Sequence, residues 1–360
     1  MKKSFGYIVM SMVILLGLTA PQAFAGNKDR SGQAGASQLL INPWAASAGW
    51  GNAGMSKVHG VDAMFGNVAG ITSCKRLDVD FSYTDWLHGT GVSVISFGVL
   101  ARIGEQNAIG LSFMSFSIGE IPITTTENPD PNVLGYFKPN LMNINIAFSR
   151  AFSNSISGGF NLKIISESIK DMGGVGVALD AGIQYVTGPF DNIHFGITLK
   201  NIGPTMKYSG DGLSYKAFLT QGTTQQFTIV QRADEFELPT QLSIAAAYDW
   251  IMGESHRLTI AGNFTSNSFT KDQITLGLEY GWKEILLVRA GYTYEQGIWS
   301  KTGILEDDDC MNVNRGLSAG LSVQIPLSKD ENGLKLAIDY AFRDTYTFKG
   351  THTYGARLIF

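Results

Sequence analysis

The chain has 360 residues, 42 of them glycine, with 11% aromatic and 16% charged residues and a formal net charge of −4. A soluble globular domain carries about 25% charged residues, and a basic footprint for nucleic acid is missing, so nucleic-acid binding is set aside. Two cysteines, Cys74 and Cys310, are far too few for a disulfide scaffold.

The N-terminus carries Lys2 and Lys3, an apolar stretch from Tyr7 to Leu18, and Ala23-Phe24-Ala25. This pattern predicts a secretory signal peptide over residues 1–25, too short to span as a helix and followed by no second apolar helix. Gly26, not Cys, follows the cleavage site, so a lipidated N-terminus is not expected. In an oxidising compartment Cys74 and Cys310 either pair or stand as isolated thiols.

From residue 26 to 77 no strand period is visible, and small residues dominate. Trp44, Trp50, Met55, Met64 and Phe65 are nevertheless too apolar for a solvated linker. The expectation is a hatch-like segment with short helical turns, packed in or under a barrel.

Beyond Asp78, stretches of about ten residues alternate with period 2 and are separated by turn residues. They predict strands at 78–88, 90–101, 106–117, 141–152, 155–167, 174–187, 192–202, 238–250, 256–267, 270–282, 285–295, 316–326, 333–344 and 351–360. Several have two clean faces: Ile274, Leu276, Leu278, Tyr280 and Trp282 oppose Thr275, Gly277, Glu279 and Gly281. The apolar faces would meet lipid and the polar faces a lumen, with aromatic pairs such as Tyr248 and Trp250 at strand ends. The last strand alternates to the terminal Phe360, an edge that is safe only if it closes a barrel.

The long connections, about 118–140, 203–237 and 296–315, follow the third, seventh and eleventh predicted strands and therefore lie at one end. Connections after even-numbered strands are short. An even strand count with short turns beside the termini predicts a fourteen-stranded antiparallel transmembrane β-barrel over residues 78–360, with periplasmic N- and C-termini in a Gram-negative outer membrane.

Signs of catalysis are weak. Gly316-Leu-Ser318-Ala-Gly320, with Asp339 and His352 downstream, follows hydrolase order, but Ser318 continues a strand where a nucleophile elbow needs a helix. The five histidines form no ligand spacing, and Glu306 to Asp309 reads as a solvated acidic run more readily than as a calcium site. Gly173-Gly-Val-Gly176 precedes a strand, unlike a dinucleotide fingerprint. A non-enzymatic protein without metal or cofactor is expected.

The long loops carry more apolar surface than loops over water need. Tyr136, Phe137, Tyr208, Tyr215, Phe218, Leu219, Phe227, Ile229 and Trp299 are therefore the candidate contact residues, whether they fold over the barrel mouth or dock a partner.

Three segments also carry a family resemblance: Gln33 to Trp44 (QAGASQLLINPW), Ser47 to Gly54 (SAGWGNAG) and Ala63 to Gly70 (AMFGNVAG). Together they resemble the N-terminal signature of the PorV/PorQ family of FadL-like outer-membrane barrels. Asn67-Val-Ala-Gly70 stands where many relatives have N-P-A-G, which favours the PorV branch. The resemblance implies a carrier in the type IX secretion system, which takes cargo proteins bearing the type IX C-terminal domain from the giant translocon barrel SprA (Sov). The carrier then passes them to the sortase PorU and its attachment complex, in contact with outer-membrane lipid and lipopolysaccharide. The alternatives from other classes are a FadL-like channel for hydrophobic small molecules and a lipid-modifying enzyme.

Overall fold

The computed structural model describes residues 28–217, 226–299, 312–328, 333–346 and 348–360. Fourteen strands form one closed barrel: β1 (Leu77–Trp86), β2 (Val92–Ile103), β3 (Asn107–Ser117), β4 (Asn140–Ala151), β5 (Ile156–Ile169), β6 (Met172–Thr187), β7 (Ile193–Ile202), β8 (Gln241–Met252), β9 (His256–Asn267), β10 (Gln273–Trp282), β11 (Leu286–Glu295), β12 (Asn314–Pro326), β13 (Lys335–Thr345) and β14 (Thr351–Ile359). Neighbours in sequence pair antiparallel, and β14 returns to pair with β1 from Asp78↔Ile359 to Asp85↔His352. Phe360 donates its backbone N–H to the Leu77 carbonyl at 2.9 Å, so the seam is bonded to the last residue. No edge strand is left in the barrel.

Period-2 alternation produces two chemically distinct surfaces. Phe81, Tyr83, Phe97, Leu111, Ile197, Leu276 and Tyr354 point outward and are exposed, whereas Asp80, Ser82, Ser96, Ser112, Asn263, Thr275 and Asp339 point inward and are buried. An outward face of this kind suits hydrocarbon. Among the described residues no helix is long and apolar enough to cross a membrane.

The strand expectations hold to within a few residues, and the shifts have local causes. β8 starts at Gln241, not 238, because Leu238 leaves the wall to pack with Leu39, Ile165 and Met206 beneath a loop. The Asn201 side chain holds the Pro239 carbonyl at 2.9 Å, which fixes that detour. Asn201 itself adopts a left-handed φ of 60° where the β6–β7 register slips between Leu179 and Ala181.

The N-terminal segment lies inside this wall. It comprises 3₁₀ turns at Ser37–Leu40, Ala53–Ser56, Gly60–Met64 and Val68–Ser73 and one helical turn at Ala45–Ala48. Trp44, Val58, Val61, Met64, Val68 and Ile71 pack against Leu100, Ala108 and Ala147 of β2, β3 and β4, giving the lumen an apolar centre. Each large apolar side chain buried this way contributes about 1.5–3 kcal/mol.

Short turns leave backbone carbonyls without helical partners, and polar wall side chains satisfy them. Ser82 donates to Pro43 O at 2.7 Å, Asn161 to Met64 O at 3.2 Å, Gln184 to Val58 O at 3.0 Å and Ser149 to Ala69 O at 3.2 Å. In return Asn67 donates to the β6 carbonyl of Ile183 at 3.0 Å. A close backbone approach is at Gly49 and Gly320, where a Cβ on either residue would fall 2.7 Å from the other's Cα. Only glycine at both positions lets the helical turn lie on β12.

Candidate functional site

Two features bear on function, the loop face at one end of the barrel and the polar lumen behind it. The connections 118–139, 203–240 and 296–313 all leave the same end, opposite the short turns and Phe360. The first described residues lie at the long-loop end, where Arg30 pairs with Glu237 and stacks on Phe269. In the first, Ile121–Pro122 pairs with Tyr136–Phe137, and Lys138 meets Glu120 at 2.9 Å. Tyr136 is left 52% exposed, beside the exposed Val133 and Leu134.

The second connection divides into a base and a hairpin. At the base Met206–Lys207 pairs with Glu235–Phe236, and Tyr208 lies against Phe236 with ring centroids 5.2 Å apart. The Tyr208 hydroxyl bonds to Glu167 of β5, whose other oxygen accepts from Gln38 of the N-terminal segment at 2.7 Å. Burial and the Glu167 carboxylate raise the Tyr208 hydroxyl pKa, so it stays a donor. Tyr208 thus fastens loop, wall and plug. Farther out, Ser214–Ala217 pairs with Phe227–Val230, displaying Tyr215 at 52% and Val230 at 63% exposure, with Phe227 also exposed and Ile229 half-buried. Trp299, 76% exposed, donates its indole N–H to the Tyr292 hydroxyl at 2.8 Å on the outer flank. Loop expectations at Phe218, Leu219, the acidic run Glu306 to Asp309 and Cys310 lie outside the described residues, as does the leader at residues 1–25.

The lumen holds an ionic belt near the short-turn end. His194 (β7) and Lys57 of the plug both meet Asp249 (β8), at 3.1 and 2.6 Å. Asp249 accepts from Thr259 (β9), Arg257 (β9) donates to Glu279 (β10) at 2.8 Å, and Arg289 (β11) donates to the same carboxylate at 2.6 Å. Arg289 also reaches Ser322 (β12), Ser322 donates to Asp339 (β13), and Arg357 (β14) clamps Asp339 through Nε and Nη2 at 2.6 and 2.8 Å. Eight consecutive strands each contribute at least one member. The belt ends at the barrel seam, where Arg357 pairs in register with Asp80 of β1. On the opposite wall Lys163 meets Asp180 at 2.7 Å, and Lys200 lies over the Phe65 ring at 4.1 Å. These groups escaped sequence reasoning because each is a single charge on a polar strand face, and their company depends on cross-strand register.

The hydrolase-like order does not assemble a site. Ser318 faces the lumen opposite Arg343, Asp339 is engaged by Arg357 and Ser322, and His352 faces outward with its Nδ1 2.8 Å from the Tyr340 hydroxyl. Among the described residues no cluster of His, Cys, Asp or Glu could hold a metal.

The type IX secretion system protein PorV family model matches residues 25–269, about two thirds of the chain and all of the lumen plug. The chain belongs to the PorV family. No curated protein matches it. Among solved structures, the toluene transporter TodX of Pseudomonas putida is 12% identical with a TM-score of 0.53, over 89% of this chain and 97% of that one. A TodX monoaromatic hydrocarbon channel carrying the deltaS2S3 mutation is 12% identical with a TM-score of 0.50, over 83% and 93%. A Pseudomonas aeruginosa FadL homologue is 12% identical with a TM-score of 0.48, over 87% and 96%. At this identity the likeness is one of fold alone, a closed antiparallel β-barrel.

The segments that carry the family resemblance do structural work in the plug. Asn42 accepts from the Trp44 backbone at 3.0 Å and donates to Ser47 at 2.8 Å, and the Asn67 side chain caps the last 3₁₀ turn by accepting from Ala69 N–H at 3.2 Å. Asn42, Ala53, Ala63 and Ala69 are fully buried.

Proposed function

We propose that this protein is a non-enzymatic carrier of the type IX secretion system. It would sit in the outer membrane with its C-terminus and short turns on the periplasmic side. It would take cargo with a type IX C-terminal domain from the SprA translocon and deliver it to PorU and the attachment complex, beside lipopolysaccharide. The observation that carries this reading is the pairing of a plugged lumen with an apolar loop face. The N-terminal segment fills the barrel and is tied to it by the ionic belt, while Tyr136, Tyr215, Phe227, Val230 and Trp299 are displayed at the long-loop end. Exposed apolar side chains held on short hairpins suit docking of a protein partner.

The competing reading is a channel for hydrophobic small molecules, which needs a continuous apolar path. Against it weigh the charged lumen and two cavities, of about 410 Å³ at the long-loop end and about 170 Å³ at the short-turn end, that share no lining residue.

The test is a mild-detergent pull-down from native outer membranes, comparing the tagged wild type with a variant shortened between Tyr208 and Val230. The expected result is recovery of a very large barrel and of exported proteins sharing a C-terminal domain, both lost in the variant. Recovery of the barrel alone with a bound fatty acid would replace the carrier by the channel.

A further inference from the structure

The lumen cavity at the long-loop end is built in a way that neither the plug nor the wall requires. Its volume is about 410 Å³, with Ala48, Gly51 and Asn52 of the plug on one side and the ends of β8 to β13 on the other. That is within the range of small-ligand sites. The wall here is irregular: β11–β12 pairing stops at Tyr292↔Leu317 although β11 runs on to Glu295, and the β12–β13 register slips between Asn314 and Ser318. Gly316 sits in the slip at a φ of 91°, and a Cβ there would fall 2.3 Å from the Thr293 carbonyl. Irregularities of this kind re-aim side chains and are enriched beside sites.

The re-aimed groups are polar, and each keeps one buried atom without a partner. Glu295 and Ser318 are each only 2% exposed and both line the cavity. One Glu295 oxygen accepts from Gln273 at 2.8 Å, but Oε1 has no partner, nor do Ser318 Oγ, Asn314 Oδ1 or Arg343 Nε. Buried polar atoms without partners call for a ligand or an explanation. Two of these atoms accept, one donates, and the Ser318 hydroxyl does either. A hydrocarbon would leave all of them unpaired. An anion favoured by Arg343 would meet Glu295, and a cation favoured by Glu295 would meet Arg343. Hydroxyl groups both donate and accept without charge, and Trp86 adds an aromatic wall.

We propose that this cavity binds a neutral, polyhydroxylated ligand of the saccharide class, either the sugar of a surface glycolipid or a free saccharide. The reading is independent of cargo transfer, because it concerns the lumen and not the loop face.

The experiment extracts the full chain from its own outer membrane, hydrolyses it for sugar and fatty-acid analysis, and screens the purified protein by saturation-transfer NMR against neutral mono- to tetrasaccharides. A Glu295→Gln/Ser318→Ala variant is run beside it, with retained heat-modifiable gel mobility showing that the barrel has folded. The expected result is about one sugar equivalent per chain, or binding of a panel member, reduced at least tenfold in the folded variant. Stoichiometric fatty acid with the sugar marks a glycolipid source, and sugar alone marks a free saccharide. The proposal is overturned by a wild type that carries no sugar and ignores the panel, by a folded variant that binds as wild type does, or by a bound peptide or hydrocarbon in place of sugar. If that variant does not fold, Ser318→Ala alone is read against the same outcomes.

Discussion

Lys57 of the lumen plug places its ammonium 2.6 and 2.7 Å from the two carboxylate oxygens of Asp249 on β8, with the Thr259 hydroxyl 3.1 Å away. The pair is mostly buried, so its attraction is offset by desolvation, and breaking it from one side is costlier than removing both ends. Asp249→Leu should destabilise the barrel by about 3–5 kcal/mol, since it strands Lys57 beside Arg257. The Asp249→Leu/Lys57→Met double variant should recover part of that loss. Urea titrations of all three variants in detergent check the order, and a double variant worse than the single would refute it.

The Arg357–Asp339 clamp joins the last two strands next to the seam, with Asp80 in register across it. Arg357→Met leaves Asp339 and Asp80 facing the lumen without that cation. A cost of about 3–5 kcal/mol is expected, seen as a lower temperature for the folded-to-unfolded gel shift. Arg357→Lys should fall between, because a point ammonium cannot reproduce the two parallel hydrogen bonds.

Gly320→Val inserts a side chain where the plug backbone at Gly49 already touches β12, so the plug should lose its seat. Faster hydrogen exchange over residues 45–56, with the barrel strands still protected, is the predicted signature. Gly262→Ala is the matched control, since its nearest neighbour, a Leu276 methyl, lies 3.6 Å away at ordinary contact distance.

Cys74 is buried just before β1, and burial together with the nearby Asp78 carboxylate pushes its thiol up to about 12. At pH 8 only about one thiol in 10⁴ is then the reactive thiolate, against a fair fraction for a free cysteine. In a Cys310→Ser background, iodoacetamide at pH 8 should label the urea-unfolded chain readily and the folded chain hardly at all. Equal labelling rates would show that Cys74 is open to solvent.

Tyr215→Ser with Val230→Ser removes exposed apolar surface from the outer hairpin without touching the wall. Barrel stability should change by no more than about 0.5 kcal/mol, while recovery of protein partners in the pull-down falls. Tyr208→Phe should do the reverse, loosening the loop base by removing the hydroxyl bonded to Glu167.

The period-2 alternation, the terminal strand and the spacing of turn residues determined by themselves the strand count, the two faces and the end at which the long loops lie. Those features are local: side-chain direction follows from position along a strand, and loop length is read directly from the chain. The small and aromatic residues between 26 and 77 likewise predict a packed segment. What only the tertiary structure decided is which polar residues meet. Lys57 and Asp249 are 192 positions apart and Asp78 meets Ile359 across the seam, contacts set by barrel closure and register. The same holds for the long-loop cavity, where slips at Asn314 and Ser318 aim Glu295, Ser318 and Arg343 into one space. A strand pattern says which face a side chain takes, and only the closed wall says what stands opposite it.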